Sequence, residues 1–184
     1  MTSLAGHLLV ATPELADPNF VRTVIYLFAH SEDGAAGVVL NRPTGATVTD
    51  ISEKVFEEPV SWDKPIHLGG PVAGPLMVLH SDESLSDQPL IEGLYHTIDS
   101  DKIRSLILQK TEPSLVVANY SGWGAGQLEM ELAQGTWLWL PARLEHVFAN
   151  TEDDLWESVS REIRTTRLSH MLGLKDLPPD PRWN

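Results

Sequence analysis

Apolar residues fall in short runs separated by turn-forming clusters, and the period of the runs changes between the two halves of the chain. In the first half they are β-branched and aromatic, which predicts strands. Residues 4–11 read as one strand, ended at Thr12-Pro13, and FVRTVIYLFA at 20–29 as a longer, mostly buried one. The acidic, glycine-closed turn HSEDG leads into AAGVVLNRP, a strand stopped by Pro43, so these two strands should pair as an antiparallel hairpin. Thr47 and Asp50 have capping-box spacing and predict a short helix carrying Ile51, Val55 and Phe56 inward. PIHLGGPV and LMVLHSD read as short strands around a Gly69-Gly70-Pro71 turn, and GLYHTID as another strand.

Helical periodicity enters the second half. Asp99 or Ser100 caps SDKIRSLILQK, whose Ile103, Leu106 and Ile107 share one face, and Glu112-Pro113 ends it. SLVVANY reads as a strand buried on both faces, followed by the glycine loop SGWGAG. A helix over 127–134 closes at Gly135, and TWLWLPA forms a last strong strand. The final helix starts at Thr151, with Leu155, Val159 and Ile163 as its inner stripe. Hairpins first and interleaved helices later predict a mixed α+β fold, one domain over 1–176 with an extended tail over 177–184.

Composition changes this picture little. The chain has 184 residues, no cysteine and a formal net charge of -13, which excludes disulfides and thiolate chemistry. No basic start precedes an apolar core and no apolar run reaches about 18 residues, so a cytoplasmic protein without a membrane span is expected. Such acidity opposes direct nucleic-acid binding. The basic run Arg161, Arg164, Arg167 and Lys175 follows Glu152, Asp153 and Asp154, an order that helix electrostatics explains.

The glycine loop fits neither the dinucleotide nor the Walker spacing, so no cofactor is expected. As a strand–Gly–helix junction it aims free backbone N–H groups at whatever lies above the strand end. A tight corner covered by Trp123 competes evenly with that small-ligand reading. Ser121 lacks the nucleophile-elbow pattern, and nothing in the spacing pairs His30, His67, His80 or His96 with an orienting acid. The same histidines lack metal-ligand spacing, so no metal site is expected. Arg22, Asn41 and Arg42 sit in polar turns where structural roles are favoured.

Several segments taken together carry a resemblance. GHLLVATPELADPNFVRTVIYLFAHSEDGAAGVVLNRP, then LGGPV, then VLH, then YSGWGAGQLEMEL resembles the AlgH/YqgE family of bacterial proteins over Gly6 to about Trp139. The resemblance implies a compact α+β protein with a mixed, strongly bent sheet surrounded by helices. Some family members are called transcriptional regulators, but the resemblance carries over no reaction and no catalytic residues. The matching positions are Asp17, Pro18, Asn19, Arg22, Asn41, Arg42, Pro43, Gly69, Gly70, Pro71, His80, Gly122, Trp123, Gly126 and Gln127.

The sequence therefore leads to a non-enzymatic module that binds a small molecule or a protein. Its candidate contacts are Arg22, Asn41, Arg42, Gly70, His80, Gly122, Trp123, Gly124, Gly126 and Gln127. A hydrolase using His80 or Ser121 near the 121–127 loop is the first alternative. A regulator acting on DNA is the second, disfavoured by the acidity and by Pro178-Pro179 where a recognition helix would follow.

Overall fold

The computed structural model describes residues 3–56, 59–150 and 154–172. In chain order the elements are β1 (His7–Ala11), β2 (Val24–Ser31), β3 (Gly34–Val39), β4 (Pro43–Thr47), α1 (Val48–Phe56), β5 (Pro65–Leu68) and β6 (Val72–His80). They continue with β7 (Gln88–Ile91), β8 (Leu94–Thr97), α2 (Ser100–Gln109), β9 (Ser114–Gly124), α3 (Gln127–Ala133), β10 (Trp137–Pro141), α4 (Leu144–Val147) and α5 (Leu155–Leu172).

The main sheet runs β10-β1-β2-β3-β9-β6-β8-β7, with β4 and β5 branching from it. Its pairs are antiparallel except β5 with β9, which is parallel. This is the expected bent, largely antiparallel α+β fold, and the predicted hairpin of β2 and β3 closes with Ser31 opposite Gly34.

β9 organises the sheet. One edge pairs with β6; the other pairs with β5 over Val116 to Ala118 and with β3 over Ser121 to Gly124. The predicted strands on either side of Gly69-Gly70-Pro71 therefore form no hairpin with each other. The chain instead crosses from one edge of β9 to the other within those three residues. Only glycine fits the crossing: a Cβ on Gly69 would lie 2.4 Å from the Asn119 carbonyl, and one on Gly70 would lie 2.3 Å from the Ser121 hydroxyl.

Three apolar clusters bury the faces. The largest joins Leu8, Val10 and Leu140 to Leu79, Leu94, Leu115 and the stripe Leu155, Trp156, Val159 and Ile163 of α5. Residues from both ends of the sheet thus meet on one helix, which requires the sheet to curl around it. A second cluster lies under α3 with Trp123 and Trp137, and a third under α1 and α2.

The differences from the sequence reading have local causes. β1 and β2 begin later than predicted because backbone bonds fold the preceding residues into turns, such as His7 N–H to the Leu4 carbonyl and Thr23 N–H to the Phe20 carbonyl. The helix after Thr47 forms, and Asp50 accepts the Thr47 N–H at 2.7 Å. Its inner face is Val48, Ile51 and Ser52, however, and Val55 points to solvent at 53% exposure. The side chain of Phe56, the start at Thr151 and the tail at 177–184 lie outside the described residues, as do Glu152, Asp153 and Lys175. Asp154 accepts the Glu157 N–H at 3.0 Å and so caps α5. β4, β7 and α4 had no counterpart in the sequence reading.

Candidate functional site

The glycine stretch is strand where a loop was expected. Gly122, Trp123 and Gly124 continue β9, opposite Ala36, Ala35 and Gly34 of β3. The turn is confined to the two residues before α3, whose N-cap is Gly126 at φ 73°. The corner then bonds within itself. Glu131 accepts the indole N–H groups of Trp123 and Trp137 at 3.0 and 2.8 Å on one oxygen and the Gln127 amide at 3.0 Å on the other. Gln127 in turn accepts the Gly124 N–H at 3.1 Å.

Neither hydrolase candidate is assembled. Ser121 is fully buried and donates its hydroxyl to the Gly69 carbonyl at 2.9 Å, and Gly70 is pressed against it by the crossing. His80 is fully buried with neither ring nitrogen hydrogen-bonded, and burial lowers its pKa below the usual imidazole value. Among the described residues no hydroxyl bonds to an imidazole, so a nucleophile–base pair is missing.

Arg22, Asn41 and Arg42 form a clasp. Asn41 accepts the Val24 N–H and donates to the Arg22 carbonyl, both at 2.9 Å, and so extends the β2–β3 ladder with a side chain. Arg42 donates to the carbonyls of Asn19, Pro18 and Val21 and holds the 17–21 turn. Arg22, at φ 54°, spans to Asp154 at 2.6 Å with its guanidinium 4.2 Å from the Trp156 ring centre. The clasp ties β2 to the start of α5.

Beside the clasp two cavities flank His67. One, of about 220 Å³, is lined by Leu40, Asn41, His67, His146, Asn150 and Asp154 among others. The other, of about 200 Å³, lies between His67, Ser114, Phe148 and the Lys64–Glu112 ion pair. β5 places His67 opposite Val117 on the inner face of the sheet, while α4 and the start of α5 form the facing wall.

His67 is 2% exposed and its Nδ1 has no hydrogen-bond partner. Burial, then the Lys64 cation, lowers its pKa against a smaller opposing pull from the Pro65 backbone beside the ring, so it is neutral at pH 7 with one donor and one acceptor nitrogen. His146 is also buried. Its Nδ1 accepts the Arg143 N–H at 3.2 Å, and its Nε2 lies 2.9 Å from the Arg143 guanidinium and 3.2 Å from Glu162. Burial and the Arg143 charge lower its pKa too. The Ser114 hydroxyl is a second buried group without a partner. A neutral imidazole between two small cavities can hydrogen-bond a small molecule, and among the described residues no catalytic set is assembled around it. Among the described residues no three histidines or carboxylates converge as metal ligands.

Of the predicted contacts, only Asn41 lines either cavity; Arg22 and Arg42 brace the wall, Gly70, His80 and Trp123 are buried elsewhere, and Gly122, Gly124, Gly126 and Gln127 lie exposed away from both cavities. His67 was, with His30, His80 and His96, a strand histidine whose spacing paired it with no acid, and the facing α4, with His146, had no readable signal.

The AlgH-like family matches over residues 8–167. A UPF0301 protein of Rhizobium rhizogenes is 40% identical over 168 residues, covering 84% of this chain and 83% of the relative. A UPF0301 protein of Streptomyces avermitilis is 35% identical over 192 residues, covering 100% of this chain and 97% of the relative. The solution structure of the AlgH protein from Pseudomonas aeruginosa is similar at TM-score 0.74 and 32% identity, over 97% of both chains. The crystal structure of protein DIP2367 from Corynebacterium diphtheriae matches at TM-score 0.72 and 23% identity, over 88% and 87%, a likeness of fold alone.

Proposed function

The chain belongs to the AlgH-like family, and from that premise we propose that it is a non-enzymatic, cytoplasmic module that binds a small polar molecule beside His67. The observation that carries this reading is the Nδ1 of His67, buried and without a partner between two cavities. A buried polar atom left unpaired costs about 1–3 kcal/mol, and a ligand that pairs it recovers that cost. Each cavity is smaller than the roughly 300–1,000 Å³ of drug-sized sites, so the ligand is a small metabolite. Any regulatory role then runs through the liganded state, since a net charge of -13 opposes contact with DNA.

Thermal-shift measurements with millimolar carboxylates, amino acids, sugars and nucleosides test this. At a hundred times its dissociation constant a ligand adds about 2.7 kcal/mol, or roughly 5–10 °C at this chain length. We expect at least one class to raise the midpoint of the native protein and to lose its effect on His67→Phe. A flat panel, or a shift that His67→Phe leaves intact, refutes the reading.

A further inference from the structure

Among the described residues the sheet ends at β10, whose sole partner strand there is β1. Hydrogen bonds from Thr12 N–H to the Thr136 carbonyl and from Ala142 N–H to the Gly6 carbonyl fix the alternation along this strand. The even-numbered residues of 136–142 are bonded inward to β1. Trp137 and Trp139 therefore turn both N–H and C=O off the sheet, and Pro141 turns its C=O off the sheet. Among the described residues these groups make no hydrogen bond.

Exposed edges usually carry a lysine or an inward charge that blocks pairing. The run TWLWLPA has none. Trp139 is 48% exposed, set edge-on against His7 with ring centres 5.5 Å apart. Beside it an open, largely apolar depression of about 380 Å³ is lined by Leu4, His7, Leu132 and Trp139, with the His30–Glu129 pair on its wall.

We infer that β10 pairs antiparallel with β10 of a second copy, about a two-fold axis at Trp139. Unpaired strand groups call for another strand, and this edge is complementary to itself. Trp139 exchanges both backbone hydrogen bonds with the partner's Trp139, and each Trp137 N–H meets the carbonyl of the partner's Pro141. The N–H that proline lacks falls at the two ends of the ladder, where it interrupts nothing. Charge also selects this face. Two chains of net charge -13 repel, and the uncharged 136–142 run brings no carboxylate to the axis. The two exposed indoles meet on one face of the joined sheet, beside the apolar depression.

Light scattering and sedimentation of the full chain from micromolar to millimolar concentration test the pairing. We expect the mass to double as concentration rises. Trp139→Glu sets two carboxylates face to face on the axis and should leave a monomer with the native thermal midpoint. Leu108→Glu, on the exposed side of α2, should leave the dimer intact. Hydrogen exchange at the Trp137 and Trp139 amides should be slow in the concentrated native protein and fast after dilution, a readout that stands even if Trp139→Glu fails to fold. A monomer at every concentration, a dimer that Trp139→Glu does not disturb, or exchange indifferent to dilution overturns the inference. So does protection that arises only when an apolar peptide is added, which would give the edge a different occupant.

Discussion

The corner at 122–127 and the cleft around His67 are built in opposite ways. In the corner, neighbours in sequence serve one another: Glu131 gathers two indoles and an amide, and Gln127 caps the end of β9. Around His67, the walls come from Leu40 to Leu155, and the central imidazole keeps an unpartnered nitrogen. A dense motif that satisfies itself is a packing device, whereas a cavity between distant segments with one orphaned polar atom has room for something else. Sequence density and binding capacity need not coincide.

The largest predicted effect separates glycines required by packing from glycines that are not. Gly70→Val places a Cβ within 2.4 Å of the Tyr120 backbone at φ 153°, and no folded protein should remain, a loss above about 4 kcal/mol. Gly124→Ala meets nothing closer than 3.9 Å and should change urea stability by less than about 1 kcal/mol. Similar outcomes for the two would remove the distinction between crossing and corner.

Next in size, Glu131→Ala orphans two buried indole donors and should cost roughly 2–6 kcal/mol, at about 1–3 for each unsatisfied group. His67→Phe, which removes an already unsatisfied group, should not lower unliganded stability and should raise it by up to about 1–3 kcal/mol. Equal losses would mean that the cleft is as tightly bonded as the corner.

Acid should sharpen the contrast. Burial lowers the pKa of His67, His80, His96 and His146, so the unfolded chain binds protons that the folded one refuses. Their neutral forms are tolerated above the unfolded value near 6.5, and stability falls as pH drops below it. Thermal midpoints measured from pH 7 to 5 should decline, and His67→Phe should flatten part of that slope while Glu131→Gln should not. Carboxylates act lower. Burial pushes Asp87 up, but hydrogen bonds from Lys102, Ile98, Thr97 and Asp99 outweigh it and hold the carboxyl well below the usual range, so its contribution is lost only in stronger acid.

The smallest effect belongs to the clasp. Arg22 and Asp154 are each 54% exposed, so Arg22→Ala should cost no more than about 1 kcal/mol, read by urea denaturation. A larger loss would make the clasp part of the cleft's structural frame.

Much of the fold was legible because its signals are local. The hairpin of β2 and β3, the cap of α2 at Asp99 and the inner stripe of α5 each lie within a few consecutive residues. The partners of β9 were not, since pairing with β5 and β3 on one edge and β6 on the other is set by which distant segments bury Val116 and Val117. The length of β9 was misread because glycines usually end strands, yet Gly122 and Gly124 stay extended opposite the equally small Ala36 and Gly34. The cleft was least legible. His67 looks like any other strand histidine until α4 closes over it, and α4 spans just four residues.

The crossing at Gly69 and Gly70 bears on the order in which the chain can fold. β5 and β6 leave the ribosome well before β9, yet each must bond to one of its edges. Until Ser114 to Gly124 emerge, these two strands have no common partner to hold them apart, and their unpaired edges stay exposed to water and to other chains. Such long loops must close before their contacts repay the lost entropy, which slows folding and lengthens the time spent prone to aggregation. For this chain, completion of the central sheet is therefore a late event that waits on β9.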